Sequence, residues 1–152
     1  MHKDYFNEAG EVATHAMCHK AKCGSIIVSL DGEVIGKGYN APPLDDESQR
    51  TCDRTDLNKS LKLGYDKTCC VHAEWNAILD ALKNNASKVE GSTLYFMRVD
   101  DDGNFTEAGA PYCTVCSRLA LQSGIKIFGL WNDGPDMIDT KSYNLKSYEY
   151  FA

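Results

Sequence analysis

His72-Ala73-Glu74 and Pro111-Tyr112-Cys113-Thr114-Val115-Cys116 are the two stretches on which the reading of this chain turns. One imidazole and two thiolates are three zinc donors, and a fourth position left open to water separates a catalytic zinc from a structural one. Glu74 follows the histidine by two residues, within reach of such a water and badly placed to be a fourth ligand. It reads as a proton carrier. The structural alternative, half of a zinc ribbon, needs a second C-x-x-C, and the sequence has none; adjacent Cys69 and Cys70 lack chelating spacing.

Both stretches open helices. Residues 73–82 carry Ala77, Ile78, Leu79, Ala81 and Leu82, apolar enough for a buried helix ending at Lys83-Asn84-Asn85. Residues 115–122 predict a second helix, stopped by Ser123-Gly124. Upstream, Tyr5, Phe6, Ala9, Val12, Ala13, Ala16 and Met17 recur at three-to-four spacing, which predicts an amphipathic helix over 4–19 with Asp4 as its N-cap. Residues 25–30 and 33–38 read as strands joined at the tight turn Asp31-Gly32, and 94–99 and 125–131 as two more, separated by a turn-rich stretch over 100–109.

The order αββαβαβ puts both candidate segments after loops at one end of a layered α/β sheet, so the three donors converge. Residues 39–70, with Pro42-Pro43 and acidic Asp45-Asp46-Glu47, show no sustained period. So long a loop immediately before His72 suits a functional role. Beyond Asn132, the apolar residues Tyr143, Leu145, Tyr148, Tyr150 and Phe151 fit a helix or a strand equally.

With 152 residues the chain has the size of one domain, spanning 1–152. A net charge of −6 and a pI near 5.1 argue against nucleic acid as the main partner, because phosphate-backbone binding is largely electrostatic. No apolar run approaches the roughly 20 residues that cross a bilayer, and residues 1–10 lack a signal-peptide core; the expected compartment is the cytoplasm. Seven cysteines, an odd number, suit a reducing compartment and metal binding better than a disulfide framework.

Water on zinc has its pKa lowered to about 7 and is a nucleophile at neutral pH. Its natural target is an amidine-like carbon of a heteroaromatic ring, such as C4 of cytosine, where addition lets ammonia leave once the nitrogens are protonated. Glu74 would take the water's proton, pass it to the ring nitrogen and later supply the departing amine. Two thiolates balance the metal's charge, and helix N-termini favour thiolate over thiol.

With these residues in view, the sequence resembles the cytidine/deoxycytidylate deaminase family over residues 23–131, most of all its deoxycytidylate (dCMP) branch. The resemblance rests on Cys23-Gly24-Ser25-Ile26-Ile27-Val28 leading to Gly38-Tyr39-Asn40, on Cys70-Val71-His72-Ala73-Glu74-Trp75-Asn76-Ala77-Ile78-Leu79, and on Pro111 to Cys116 with Gly124-Ile125-Lys126. H-x-E followed by P-C-x-x-C is the signature of zinc nucleobase deaminases. Tyr112 departs from it by separating the proline from the first cysteine. Ala41-Pro42-Pro43 replaces the usual glycine-containing turn, and 97–110 lengthens the approach to the cysteines.

The resemblance implies a three-layer α/β/α fold with a mixed five-stranded sheet, and a zinc-dependent hydrolytic deaminase of a free pyrimidine nucleotide, converting dCMP to dUMP in a homo-oligomer. It implies that Asn40 touches the base or sugar, that the backbone of Ala73 faces the base, and that Lys83 matches a basic residue that helps to hold the 5′-phosphate. The bare residues leave other roles open: a lysine ending a helix is favoured by the dipole, and asparagine commonly ends strands in turns.

Some relatives carry a second, structural zinc, and Cys18, His19, Cys23, Cys52, Cys69 and Cys70 hold enough donors for one, although buried free cysteines are ordinary. Arg50, Arg54, Lys59, Lys62 and Lys67 are interleaved with Asp53, Asp56 and Asp66, so a solvated loop is expected there rather than a phosphate site. Two competing functions remain: the same chemistry on cytidine, cytosine, guanine or transfer-RNA adenosine, the last opposed by the acidic balance, and a non-catalytic zinc-stabilised interaction module.

Overall fold

Period-2 alternation builds the centre of the molecule. In the computed structural model, which describes residues 1–56 and 68–150, β1 (Lys22–Val28) and β3 (Thr93–Val99) pair antiparallel, with Cys23 opposite Arg98 and Ile26 opposite Tyr95. Alternate residues go to opposite faces: Ile27, Leu94 and Phe96 to one, Ile26, Val28, Tyr95, Met97 and Val99 to the other. β2 (Val34–Tyr39) joins β1 across the expected hairpin, where Gly32 takes φ 85°, a conformation that favours glycine.

β5 (Ile127–Trp131) lies parallel to β3, and β6 (Pro135–Asp139) antiparallel to β5, giving the order β2-β1-β3-β5-β6. A two-residue β4 (Phe105–Thr106) pairs with the end of β3 and makes a sixth strand beside the five on the path. Neither β4 nor β6 has a strand signal in sequence. β4 is too short to show a period, and β6 is an edge strand carrying Pro135, Asp136 and Asp139.

Helices cover both faces of the mixed sheet. α1 (His2–Ala13) buries Phe6, Ala9 and Ala13 on one face. It starts and stops before the predicted 4–19: Met1 is its N-cap and Asp4 stands in its first turn. Ala16 and Met17 lie beyond it, and the Met17 amide bonds to Asn40 O at 2.9 Å instead of continuing the helix. α2 (Ala73–Asn85), α3 (Thr114–Gln122) and α4 (Thr140–Ser147) lie over the other face through Ala77, Ile78, Ala120 and Tyr143. The tail is thus helical at Tyr143 and Leu145, while Phe151 lies outside the described residues.

α2 lies directly on β2, and this needs the missing side chain of Gly38: a Cβ there would stand 2.2 Å from Ala77 N and 2.6 Å from Ala73 O. Asn76 Nδ2 donates to Tyr39 O, and Asp80 Oδ2 accepts from the Lys37 amide, each at 2.9 Å, which fixes the helix along its axis.

Short 3₁₀ turns at Pro43–Asp45 and Glu47–Gln49 interrupt the long loop. Arg50 is not solvated as expected. It is 8 % exposed, donates to both Glu47 carboxylate oxygens at 2.6 and 2.8 Å and to Met17 O at 2.7 Å, and so ties the loop to the segment after α1. Arg54 pairs with Asp56, in keeping with the interleaved charges; Lys59, Lys62, Asp66 and Lys67 lie outside the described residues. No described helix is long and apolar enough to cross a membrane.

Candidate active site

Two helix N-termini meet at one end of the sheet. His72 is the N-cap of α2 and Cys113 that of α3, whose third residue is Cys116. His72 makes no capping bond with its own helix; its Nδ1 stands 3.2 Å from Cys116 Sγ and 3.3 Å from Cys113 Sγ. The three donor atoms lie within 4.8 Å of one another. Zn–N near 2.0 Å and Zn–S near 2.3 Å set tetrahedral ligands roughly 3.5–3.8 Å apart. The group therefore fits a zinc ion with little movement. Trp75, one turn along α2, stacks on the imidazole at 4.6 Å and 13°.

Cys113 is the readier thiolate. Its pKa is lowered to about 5, first by the hydrogen bond from Cys116 and then, against burial, by His72. Burial, ahead of the Cys113 hydrogen bond, pushes the Cys116 thiol up, so a cation that takes its sulfur must displace a proton.

Glu74 is 6 % exposed, on the first turn of α2, and hydrogen-bonds with Cys116. Burial and then the Cys113 charge raise its pKa, against an opposing pull from His72. A carboxyl that holds a proton more readily than usual, beside a metal-type donor set, is suited to shuttle one.

The group opens onto a cavity of about 340 Å³, at the small end of ligand pockets. Ala73, 1 % exposed, is in its wall, as is Asn40. Asn40 Oδ1 accepts from the Cys23 amide at 2.9 Å and Nδ2 donates to Ala21 O at 2.8 Å. Each of its polar atoms keeps capacity for a further bond. Lys83 is not brought to the site within this chain. It is exposed in the last turn of α2, ten residues and so roughly 15 Å beyond Ala73, and does not line the cavity.

Sequence reasoning missed Phe96 and Arg98, which line the cavity from β3. The signal was there: 94, 96 and 98 share one face by period 2, the face that carries α2. Tyr112, the residue inserted before Cys113, is 58 % exposed at the cavity and meets Tyr150 edge-on at 4.7 Å, while its amide bonds to the Tyr143 phenol oxygen. Asn132, just past β5, brackets Gly109 on the approach to the cysteines: Oδ1 accepts from the Gly109 amide at 2.7 Å and Nδ2 donates to its carbonyl at 2.9 Å.

The remaining cysteines divide. Cys23 is a buried free thiol, whereas Cys18 and Cys70 are joined as a disulfide, against the expectation of a reduced chain. Backbone geometry brings the two together: the Met17 amide bonds Asn40 O, and Ala41 and Val71 exchange bonds of 3.3 and 2.7 Å, so both cysteines flank one strand end. Cys52 and Cys69 stay free beside them, at the far side of the cavity.

A family model described as the cytidine and deoxycytidylate deaminase zinc-binding region matches residues 1–129. The chain belongs to this family. Among similar family members are the deoxycytidylate deaminases of Pongo abelii, 31% identical over 107 residues, and of Homo sapiens, 27% identical over 106, in each case 70% of this chain and 50% of the relative. The chain thus spans about half the length of the curated relatives it matches. Among solved structures, a cytidine deaminase from Burkholderia pseudomallei aligns with TM-score 0.61 and 17% identity, over 94% of this chain and 95% of that one. The dCMP deaminase of cyanophage S-TIM5, in complex with dCMP and dUMP, aligns with TM-score 0.55 and 23% identity, over 84% and 77%. Both share the fold of this family member, and the family's zinc-binding description agrees with the donor set of His72, Cys113 and Cys116.

Proposed function

We propose that the chain is a zinc-dependent hydrolytic deaminase of a free pyrimidine nucleotide, taking dCMP and water to dUMP and ammonia, with His72, Cys113 and Cys116 as ligands of the zinc. The observation that carries this reading is the buried Glu74 carboxyl beside a three-donor group with an open side towards a small cavity. Bound there, zinc supplies an activated water at neutral pH. Glu74 would take one proton from that water and deliver it to the ring nitrogen N3, then take the second from the oxygen added at C4 and deliver it to the amino group as the C4–N bond breaks and ammonia leaves. Ala73 backbone and Asn40 orient the base and sugar, and Phe96 gives the apolar wall against which the ring lies.

The dCMP assignment is supported by the curated relatives, both deoxycytidylate deaminases. Ammonia release measured with dCMP, CMP, deoxycytidine, cytidine, cytosine, guanine and adenosine tests it: dCMP is expected to give the highest kcat/KM, and a preference for any other compound replaces it. Silence with all of them in zinc-loaded protein leaves the interaction module.

One ion per chain is proposed, since Cys18 and Cys70 are taken up by each other. Two zinc ions per chain by elemental analysis would assign the second to the remaining sulfur-rich corner. Self-association is proposed through the exposed Leu79 and Leu82 of α2, to be read by light scattering.

A further inference from the structure

The cavity wall carries more cationic than acidic side chains. Among the described residues lining it, Glu74 is the one carboxylate, whereas Lys20 and Arg98 bring positive charge. Arg98 has no carboxylate partner among the described residues; its guanidinium bonds to the Cys23 thiol. That thiol is neutral at physiological pH, its pKa raised to about 11 by burial and then by Glu74, so it does not cancel the charge.

Arg98 is also placed by structure rather than by chance. Cys23 is its cross-strand partner on β1, and Thr106 of β4 its partner on the other side. The short β4 belongs to the lengthened stretch between β3 and the cysteines. That stretch therefore does something: it pins the last inward-facing position of β3 at the cavity wall. Asn40 bonds the Cys23 amide, so Asn40, Cys23 and Arg98 form a row across the strand ends, each about one strand spacing, roughly 4.8 Å, from the next. A substrate with its reacting carbon near Glu74 and its sugar at Asn40 would carry its phosphate along this row towards Arg98.

We infer that Arg98 is the specificity-determining residue of this site, its guanidinium binding the 5′-phosphate of the substrate and thereby selecting nucleoside monophosphates over nucleosides. This rests on the nucleotide-deaminase reading. It assigns to β3 the task that the resemblance implied for Lys83. A planar fork of donors suits a phosphate in two-point contact, and a charge-assisted pair accounts for about tenfold to a hundredfold in affinity.

The test compares zinc-loaded wild type with Arg98→Gln and Arg98→Lys, each first shown to be folded by thermal melting. The ratio of kcat/KM for dCMP to that for deoxycytidine is expected to fall about tenfold to a hundredfold in Arg98→Gln, mainly through KM, and to recover in part in Arg98→Lys. Equal losses with both substrates would make Arg98 a prop for Cys23 and overturn the assignment. Calorimetric binding of dUMP against deoxyuridine reads the same contact without turnover: Arg98→Gln should lose the preference for dUMP. If wild type binds both equally, the phosphate contact is absent. If wild type prefers dUMP and deaminates neither substrate, the anchor stands and the deaminase reading falls.

Discussion

The cavity has two sulfur-bearing corners, and they are built on different principles. At one, His72, Cys113 and Cys116 stand on the first turns of two helices packed on a common sheet, and each donor is fixed by the backbone behind it. At the other, Cys18, Cys52, Cys69 and Cys70 stand on connecting segments, two of them joined to each other. The first corner is held by secondary structure and keeps its three donors together, His72 and Cys113 at the cavity wall and Cys116 buried behind it. The second uses its sulfurs to hold the chain. Similar residues thus do opposite work, and the difference lies in what carries them.

The largest expected effect separates chemistry from metal at the first corner. Glu74→Gln should lower deamination by about 10²–10⁴-fold while zinc content, measured by elemental analysis, stays as in wild type. A Gln variant that retains activity would remove Glu74 from the proton path. At the second corner, Cys18→Ser opens a link between residues 52 apart in sequence and should cost about 2–4 kcal/mol in urea unfolding, with the zinc content of the first corner unchanged. Loss of that zinc as well would mean that the corners are not independent.

Gly38→Ala probes the support beneath the first corner. The added Cβ meets Ala77 N at 2.2 Å, so α2 must shift off β2, at a cost of about 1–3 kcal/mol and with a loss of activity that Cys18→Ser should not match.

The smallest effect is alkaline. The folded-state pKa of the Cys23 thiol is raised from 9.0 to about 11, so its contribution is intact below pH 9 and lost as pH rises through 11. At pH 10 the loss is about 1 kcal/mol, and Cys23→Ala should flatten that limb of the stability profile.

How much of this could be read from sequence follows the same division. His72, Glu74, Cys113 and Cys116 could be singled out because H-x-E and C-x-x-C are local spacings of residue types with restricted chemistry, and the fold brings the three donors within 4.8 Å of one another. The central strands were legible because burial on a pleated sheet enforces alternation. Asn40 was visible as a motif residue, but not as a clamp on β1, because its partners Ala21 and Cys23 are set by hairpin geometry. Arg50 looked solvated because its partners, Glu47 and the distant Met17 carbonyl, become neighbours only after the loop folds back. The resemblance matched Lys83 to a phosphate-holding residue, and the rise of about 1.5 Å per residue along α2 carries that position away from Ala73 within this chain. Arg98 went unread in an otherwise apolar strand, where its parity alone pointed to the cavity.

The Asn132 bracket around Gly109 carries a consequence for how such a site tolerates change. The two bonds fasten the start of the cysteine-bearing stretch to the end of β5, so the approach to Cys113 is tied to a residue that lies after it in the chain and does not line the cavity. Drift at Asn132 would be felt first at Gly109, where the approach to Cys113 begins. A redesign of the inserted stretch has its fixed points accordingly: Thr106 against β3 at one end and Gly109 against Asn132 at the other, with the sequence between and beyond them open to variation in length and side chain.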